Sequence, residues 1–265
     1  MLPSIAREAS TATAEANKNA QNVVRPSSQK DQKIAQALRD RAALTQRWVG
    51  TLYNSVTICI DDTKWKIKEP LCSERLDEDP DGTAMGRGVY RCVEVKNKKA
   101  IRSAVMKIYL QTQGHCAEDC PTWIHDEIGA LQRIADAKIS SAVPAPALIG
   151  SKVMKQPWWG HFPGGFVAFI VMERLEGSPI DEKLLKDCAS YRRQIQGAFK
   201  ESLLKVWAAG VYPWDAGLDN LIWNADKNTC YIVDMEDAGY GKLPYKGKLL
   251  DEVHFEAWGL SDSYT

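Results

Sequence analysis

A chain of 265 residues, 45% of them hydrophobic, can bury a sizeable core and is too apolar to be a solvated disordered polymer for most of its length. Its 34 Lys and Arg offset 34 Asp and Glu, so no global field draws it to nucleic acid or an anionic membrane. No apolar run reaches the roughly 18 residues that a membrane span needs. Seven scattered cysteines (59, 72, 92, 116, 120, 188 and 230), with no C-x-x-C pair and no apolar leader segment, read as reduced thiols in a cytoplasmic protein.

Residues 1–30 are rich in small and polar side chains and are expected to form a disordered tail, because they bury too little surface to offset ordering entropy. Over 31–50, Ile34, Ala35, Leu38, Ala42, Leu44 and Trp48 recur near helical spacing and predict an amphipathic helix with a mildly basic polar face. Thr51 to Ile60 reads as a strand, Asp61-Asp62 as its turn, and Trp65 to Ile67 as another short strand. Ser73 to Gly82 reads as an acidic loop.

Met85-Gly86-Arg87-Gly88-Val89-Tyr90 reads by itself as a plain hairpin turn, and its glycine spacing also resembles a loop whose backbone N–H groups approach phosphate, with Arg91 where a third glycine would stand. Ala104 to Leu110 is an apolar strand interrupted by Lys107, which needs a carboxylate partner if it is buried. The helix expected from Pro121 to Ala137 supplies one. Glu127 lies beside its apolar face, whereas Asp126 points about 100° away and the rivals Glu118 and Asp119 precede the helix. His115, Cys116, Cys120 and His125 match no zinc spacing and read as a loop with incidental thiols.

Val143 to Pro146 looks like a linker, and the aromatic, glycine-containing stretch Trp158 to Phe166 like a loop between strands, with a surface that receives an apolar partner as the alternative. Phe166 to Met172 reads as a fully buried strand. A short helix is expected at Asp181 to Lys186 and a long one from Tyr191 to Ala209, ended by Gly210. Leu221 to Trp223, a polar turn and Cys230 to Asp234 form a hairpin. Its open end gathers Asp215, Asn220 and Asp234, an oxygen donor set that suits Mg²⁺. A last helix is expected from Leu249 to Trp258.

Asp215 and Asn220 in D-x-x-x-x-N spacing, followed by Asp234-Met235-Glu236 at a strand end, resemble the catalytic loop and metal-binding turn of the protein-kinase-like superfamily. The small-molecule branch, with choline and aminoglycoside kinases and their fungal relatives, is the nearest in character. The resemblance implies an α+β, two-lobed protein-kinase-like fold. Residues 51–176 would form an antiparallel N-lobe sheet with one helix, and 177–265 a short, mostly helical C-lobe.

It also implies an ATP-dependent phosphotransferase that uses ATP and Mg²⁺. Asp215 would orient or deprotonate the acceptor hydroxyl, Asn220 and Asp234 would hold the metal, and Lys107 braced by Glu127 would grip phosphates. Gly86 and Gly88 would form the nucleotide loop, and Met172, Glu173 and Leu175 the hinge that holds adenine. Pro213-Trp214 stands where the family carries a histidine dipeptide, and Met235-Glu236 where it carries Phe-Gly. The short C-terminal part favours a small-molecule acceptor over a protein. The alternatives are nucleotidyl transfer, an aminoacyl-tRNA-dependent peptide-forming reaction (a tRNA partner is not favoured), and a nucleotide-binding pseudokinase without turnover.

Overall fold

The computed structural model describes residues 29, 32–33, 36–37, 52–54, 56–78, 82–117, 119–241 and 252–261. Apart from Gln29, which is helical where a disordered tail is expected, residues 1–30 lie outside this set, as does the apolar face of the helix expected over 31–50. Gln29, Gln32, Lys33 and Gln36 are helical and exposed, as the polar face of such a helix should be.

The centre is an antiparallel sheet of β1 (Ile58–Ile60), β2 (Thr63–Pro70), β4 (Ala84–Lys96), β5 (Lys99–Gln113), β7 (Phe166–Glu173) and β6 (Leu148–Lys155) in that order, with β3 (Arg75–Glu78) added to β4. The sheet curls until its edges nearly meet. Lys152 Nζ on β6 donates to the carbonyl of Cys59 on β1 at 3.0 Å. Gly150 permits this approach, since a Cβ there would lie 3.1 Å from Ile60 Cγ2.

Strand alternation sends one set of side chains into this near-barrel: Trp65, Ile67, Tyr90, Cys92, Met106, Ile108, Leu110, Val167, Phe169 and Val171, with Leu52 and Tyr53 closing an end. Leu52 and Tyr53 are helical, not part of a strand. A short apolar run carries no periodicity that separates the two.

The opposite face, with Tyr109, Ala168, Ile170 and Met172, packs on α1 (Thr122–Lys138) through Ile124, Ala130, Leu131 and Ile134. The same core continues into α2 (Glu182–Asp187), α3 (Ala189–Ala208), the hairpin β10 (Leu221–Asn224) and β11 (Thr229–Ile232), and Trp258 and Leu260 beyond α4 (Glu252–Ala257). Two further ladders tie this part together. β8 (Ser178–Pro179) pairs with β10, and β9 (Val211–Pro213) pairs with β12 (Ala238–Tyr240). Gly177, at φ 136°, enters β8 where a Cβ would sit 2.6 Å from the Trp223 carbonyl oxygen, so this bend needs glycine.

The expectation of a two-lobed fold with a mostly helical C-lobe is therefore corrected. Strands hold 38% of the described residues against 29% in helices, and the dominant element is a nearly closed six-strand antiparallel, barrel-like sheet. Its outer face shares one continuous hydrophobic cluster with residues on both sides of position 176. The acidic stretch after Ser73 holds strand β3, and Gly86 and Gly88 lie inside β4, opposite Leu110 and Ile108 of β5. The aromatic stretch is the β6–β7 connection. Buried Gln156 clamps it by donating to the carbonyls of Gln111 (2.6 Å) and Phe166 (2.9 Å) and accepting from Phe162 N–H (3.1 Å). None of the seven cysteines is in a disulfide. Among the described residues no helix is long and apolar enough to cross a membrane.

Candidate active site

Lys107 occupies a position of β5 where alternation turns the side chain away from the barrel interior and toward α1. It lies opposite Val89 of β4 and Ile170 of β7. An ammonium has three protons, and here three carboxylates receive them: Glu127 Oε1 at 2.9 Å, Asp234 Oδ1 at 2.7 Å and Glu236 Oε2 at 3.3 Å. Glu127 is buried on α1, and its second oxygen accepts from Tyr109 Oη at 2.8 Å. The rivals have other partners: Asp126 receives Tyr240 Oη at 3.3 Å, Asp119 faces His125, and Glu118 lies outside the described residues.

A second cation joins from β4. Arg87 shares the outward face with Val89, and its Nη1 reaches both oxygens of Glu236, at 2.7 and 2.6 Å; Nε lies 3.1 Å from Asp77 Oδ2. Glu236 is thus an anion held between two cations. Two positive and four negative side chains converge here, which leaves the cluster formally short of positive charge.

The other half of the site is the open end of the β10–β11 hairpin. Leu221 pairs with Ile232, and the next step outward is a bond from Val233 N–H to the Asn220 carbonyl at 2.9 Å, so Asn220 and Asp234 leave the ladder side by side. Asn220, at the end of a 3₁₀ turn (Leu218–Asn220), donates from Nδ2 to the backbone carbonyl and to Oδ2 of Asp215, each at 3.0 Å. Asp215 itself is exposed. Asp234 adopts φ 61°, a left-handed conformation uncommon for a residue with a Cβ. It is held by Lys107 and by Glu236 N–H donating to its Oδ1 at 3.2 Å.

The residues before Asp215 are Pro213 and Trp214, with no histidine among them. The β9–β12 ladder braces the loop, pairing Pro213 with Ala238, and the exposed Trp214 covers Gly239, where a Cβ would stand 2.9 Å from the indole. Met235 is buried in the core, which fixes the turn between the two site acids.

Burial works against the charge on Lys107, but Glu127, Asp234 and Glu236 outweigh it and hold its pKa above the ordinary lysine value. Burial raises Glu127 despite its cation, and raises Tyr109 further, with the Glu127 charge adding to the effect. For Asp234, burial opposes ionisation, yet Lys107 more than compensates and the carboxyl titrates below its usual 3.8. A group depressed in the folded state contributes stability that is whole above 3.8 and lost as the pH falls through the lower folded-state value. Urea unfolding followed across the acid range should therefore show a steeper loss of stability for the native chain than for Asp234→Asn; parallel acid limbs would contradict it.

The remaining sequence-predicted residues fall elsewhere. Gly86 and Gly88 belong to the β4 ladder and form no open loop. A Cβ at Gly88 would meet the Tyr90 ring at 2.6–2.9 Å, a packing reason for glycine. Met172 is buried opposite Val105; Glu173 donates its N–H to Ala147 O at 2.9 Å and pairs through its side chain with Lys138; Leu175 is half-buried. The structure thus unites Lys107, Glu127 and Asp234, and separately Asp215 with Asn220, with Asn220 and Asp234 flanking the open end of one hairpin. Sequence reasoning missed Arg87, Glu236 and Tyr109. Period-two alternation from Lys107 finds Tyr109, and the same alternation along β4 finds Arg87, once Met85 to Val93 is read as a strand.

No protein-family model matches the chain, and no curated protein does.

Proposed function

We propose that the chain is an ATP-dependent phosphotransferase acting on a small-molecule acceptor. The observation that carries this reading is the Lys107 ammonium, buried and tied to Glu127 on one side and to Asp234 on the other, beside the hairpin end that holds Asp215 and Asn220. Charge-neutral composition favours a small acceptor over a nucleic acid.

Asn220 and Asp234 are the residues that would hold Mg²⁺. An amide oxygen and a carboxylate fit a hard cation, and the surplus of acids over bases in the cluster is what a divalent ion would balance. When bound, the ion neutralises charge developing on the transferred phosphoryl group. Lys107 and Arg87 bind the anionic phosphates. Glu127 does not touch the nucleotide; it fixes the position of the ammonium. Asp215, oriented through Asn220, receives the proton of the acceptor hydroxyl. Glu236 has to give up its two cations before phosphate can reach them.

ADP formation from ATP and Mg²⁺, measured over a panel of small alcohols and amines, tests the reading. Turnover with an accepted substrate should fall by about 10²-fold or more in Asp215→Asn while ATP affinity is unchanged. Turnover that survives Asp215→Asn would overturn the assigned role, and absence of ATP binding would overturn the reading itself.

A further inference from the structure

On the far side of α1's first turn from the Lys107 cluster, three unlike donor atoms share one point. His125 Nε2 lies 3.3 Å from Cys120 Sγ and 3.2 Å from Asp119 Oδ2, and all three atoms fall within 4.8 Å of one another. Asp119 accepts hydrogen bonds from both Cys120 and His125. Both neighbours lie at the same ring nitrogen, and with the thiol deprotonated and Nε2 unprotonated each of the three side chains offers a lone pair to a shared cation.

The same separations suit a tetrahedral zinc ion. Bonds of about 2.3 Å to sulfur and 2.0–2.2 Å to nitrogen and oxygen set neighbouring ligand atoms about 3.4–3.6 Å apart. The sulfur–nitrogen and nitrogen–oxygen separations are within a few tenths of an ångström of that. The sulfur and oxygen lie within 4.8 Å of each other, and the exposed side chain of Asp119 is free to adjust to an ion.

The donors are also held by the fold. Cys120 is buried, Asp119 Oδ1 accepts the Cys120 N–H at 2.8 Å and so leaves Oδ2 turned to the histidine, and His125 stands on the first turns of α1. His115 and Cys116 take no part. His115 O accepts from Gln111, and Cys116 Sγ lies 4.0 Å from Pro163 O. A search for Cys and His spacing misses the site because one donor is a carboxylate.

We propose that Asp119, Cys120 and His125 bind one zinc-class divalent cation, with a fourth coordination position left to water or an external ligand. Mixed sulfur, nitrogen and oxygen donors select a borderline ion over Mg²⁺ or Ca²⁺. As the metal–sulfur bond forms, the thiol S–H bond breaks and its proton goes to solvent, so each ion bound releases a proton.

Titrating the full, reduced chain with Co²⁺ reads the site directly, through a thiolate-to-cobalt charge-transfer band together with the strong visible bands of four-coordinate cobalt. One equivalent should bind, Zn²⁺ should displace it, and the band should vanish in His125→Ala and weaken in Asp119→Asn, two exposed positions whose replacement should leave the circular-dichroism spectrum unchanged. Cys116→Ser should retain it. Absence of the band, its persistence in His125→Ala, or its loss in Cys116→Ser would overturn the proposal.

Discussion

Lys107→Met is expected to cost stability as well as nucleotide binding. It leaves the carboxylate of Glu127, 1% exposed, without its cation, and removing one partner of a buried ion pair typically costs about 3–5 kcal/mol. For a chain of this size that lowers Tm by on the order of 10 °C. Replacing both partners separates the two effects. In Lys107→Met with Glu127→Leu no buried charge is stranded, while Asp234 and Glu236, with side chains 31% and 18% exposed, keep access to water. The double variant should recover most of the lost stability in urea unfolding and none of the ATP affinity. A double variant that binds ATP like the native chain would show that the ammonium grips no phosphate.

Glu236→Gln is expected to act in the opposite direction and tighten ATP binding. The carboxylate lies 3.3 Å from Lys107 Nζ and 2.6 Å from Arg87 Nη1, so an incoming phosphate competes with a resident anion for both cations. A unit charge at about 4 Å in a partly screened site is worth a gross ~4 kcal/mol. The amide keeps the size and some hydrogen bonding, so a net gain of about 1.4 kcal/mol, or tenfold in Kd, is the expected size. Calorimetric titration of ATP into the native chain and Glu236→Gln reads it. Weaker binding in the variant would mean that Glu236 helps to build the nucleotide site and does not obstruct it.

Lys107, Glu127, Asn220 and Asp234 were legible as neighbours because their positions follow from local rules. A lysine inside an apolar strand needs a carboxylate, and one helix offered Glu127 at the edge of its buried face. A hairpin brings its two outer ends together, which juxtaposed Asn220 and Asp234. Glu236 was visible only as a residue in place of a glycine; its contact with Arg87 crosses 149 positions of sequence and no local pattern announces it. Gly86 and Gly88 show the reverse problem, since the spacing that suits a phosphate-binding turn also suits a strand whose neighbour Tyr90 lies flat across it.

The architecture was the least legible part. The near-closure of the sheet depends on β1 meeting β6, and the shared core on its outer face depends on Phe199, Trp223 and Trp258 reaching the same cluster as Ile124 and Met172. Motif spacing specifies which groups meet at a hairpin end, but nothing about whether the bodies behind them share one core.

The most direct test of the central claim is calorimetric titration with ATP, in the presence and absence of Mg²⁺, of the native chain and of Asp234→Asn. The account predicts binding that Mg²⁺ strengthens in the native chain, with that strengthening lost in Asp234→Asn. Absence of ATP binding under both conditions, or the same dependence on Mg²⁺ in both proteins, would contradict it.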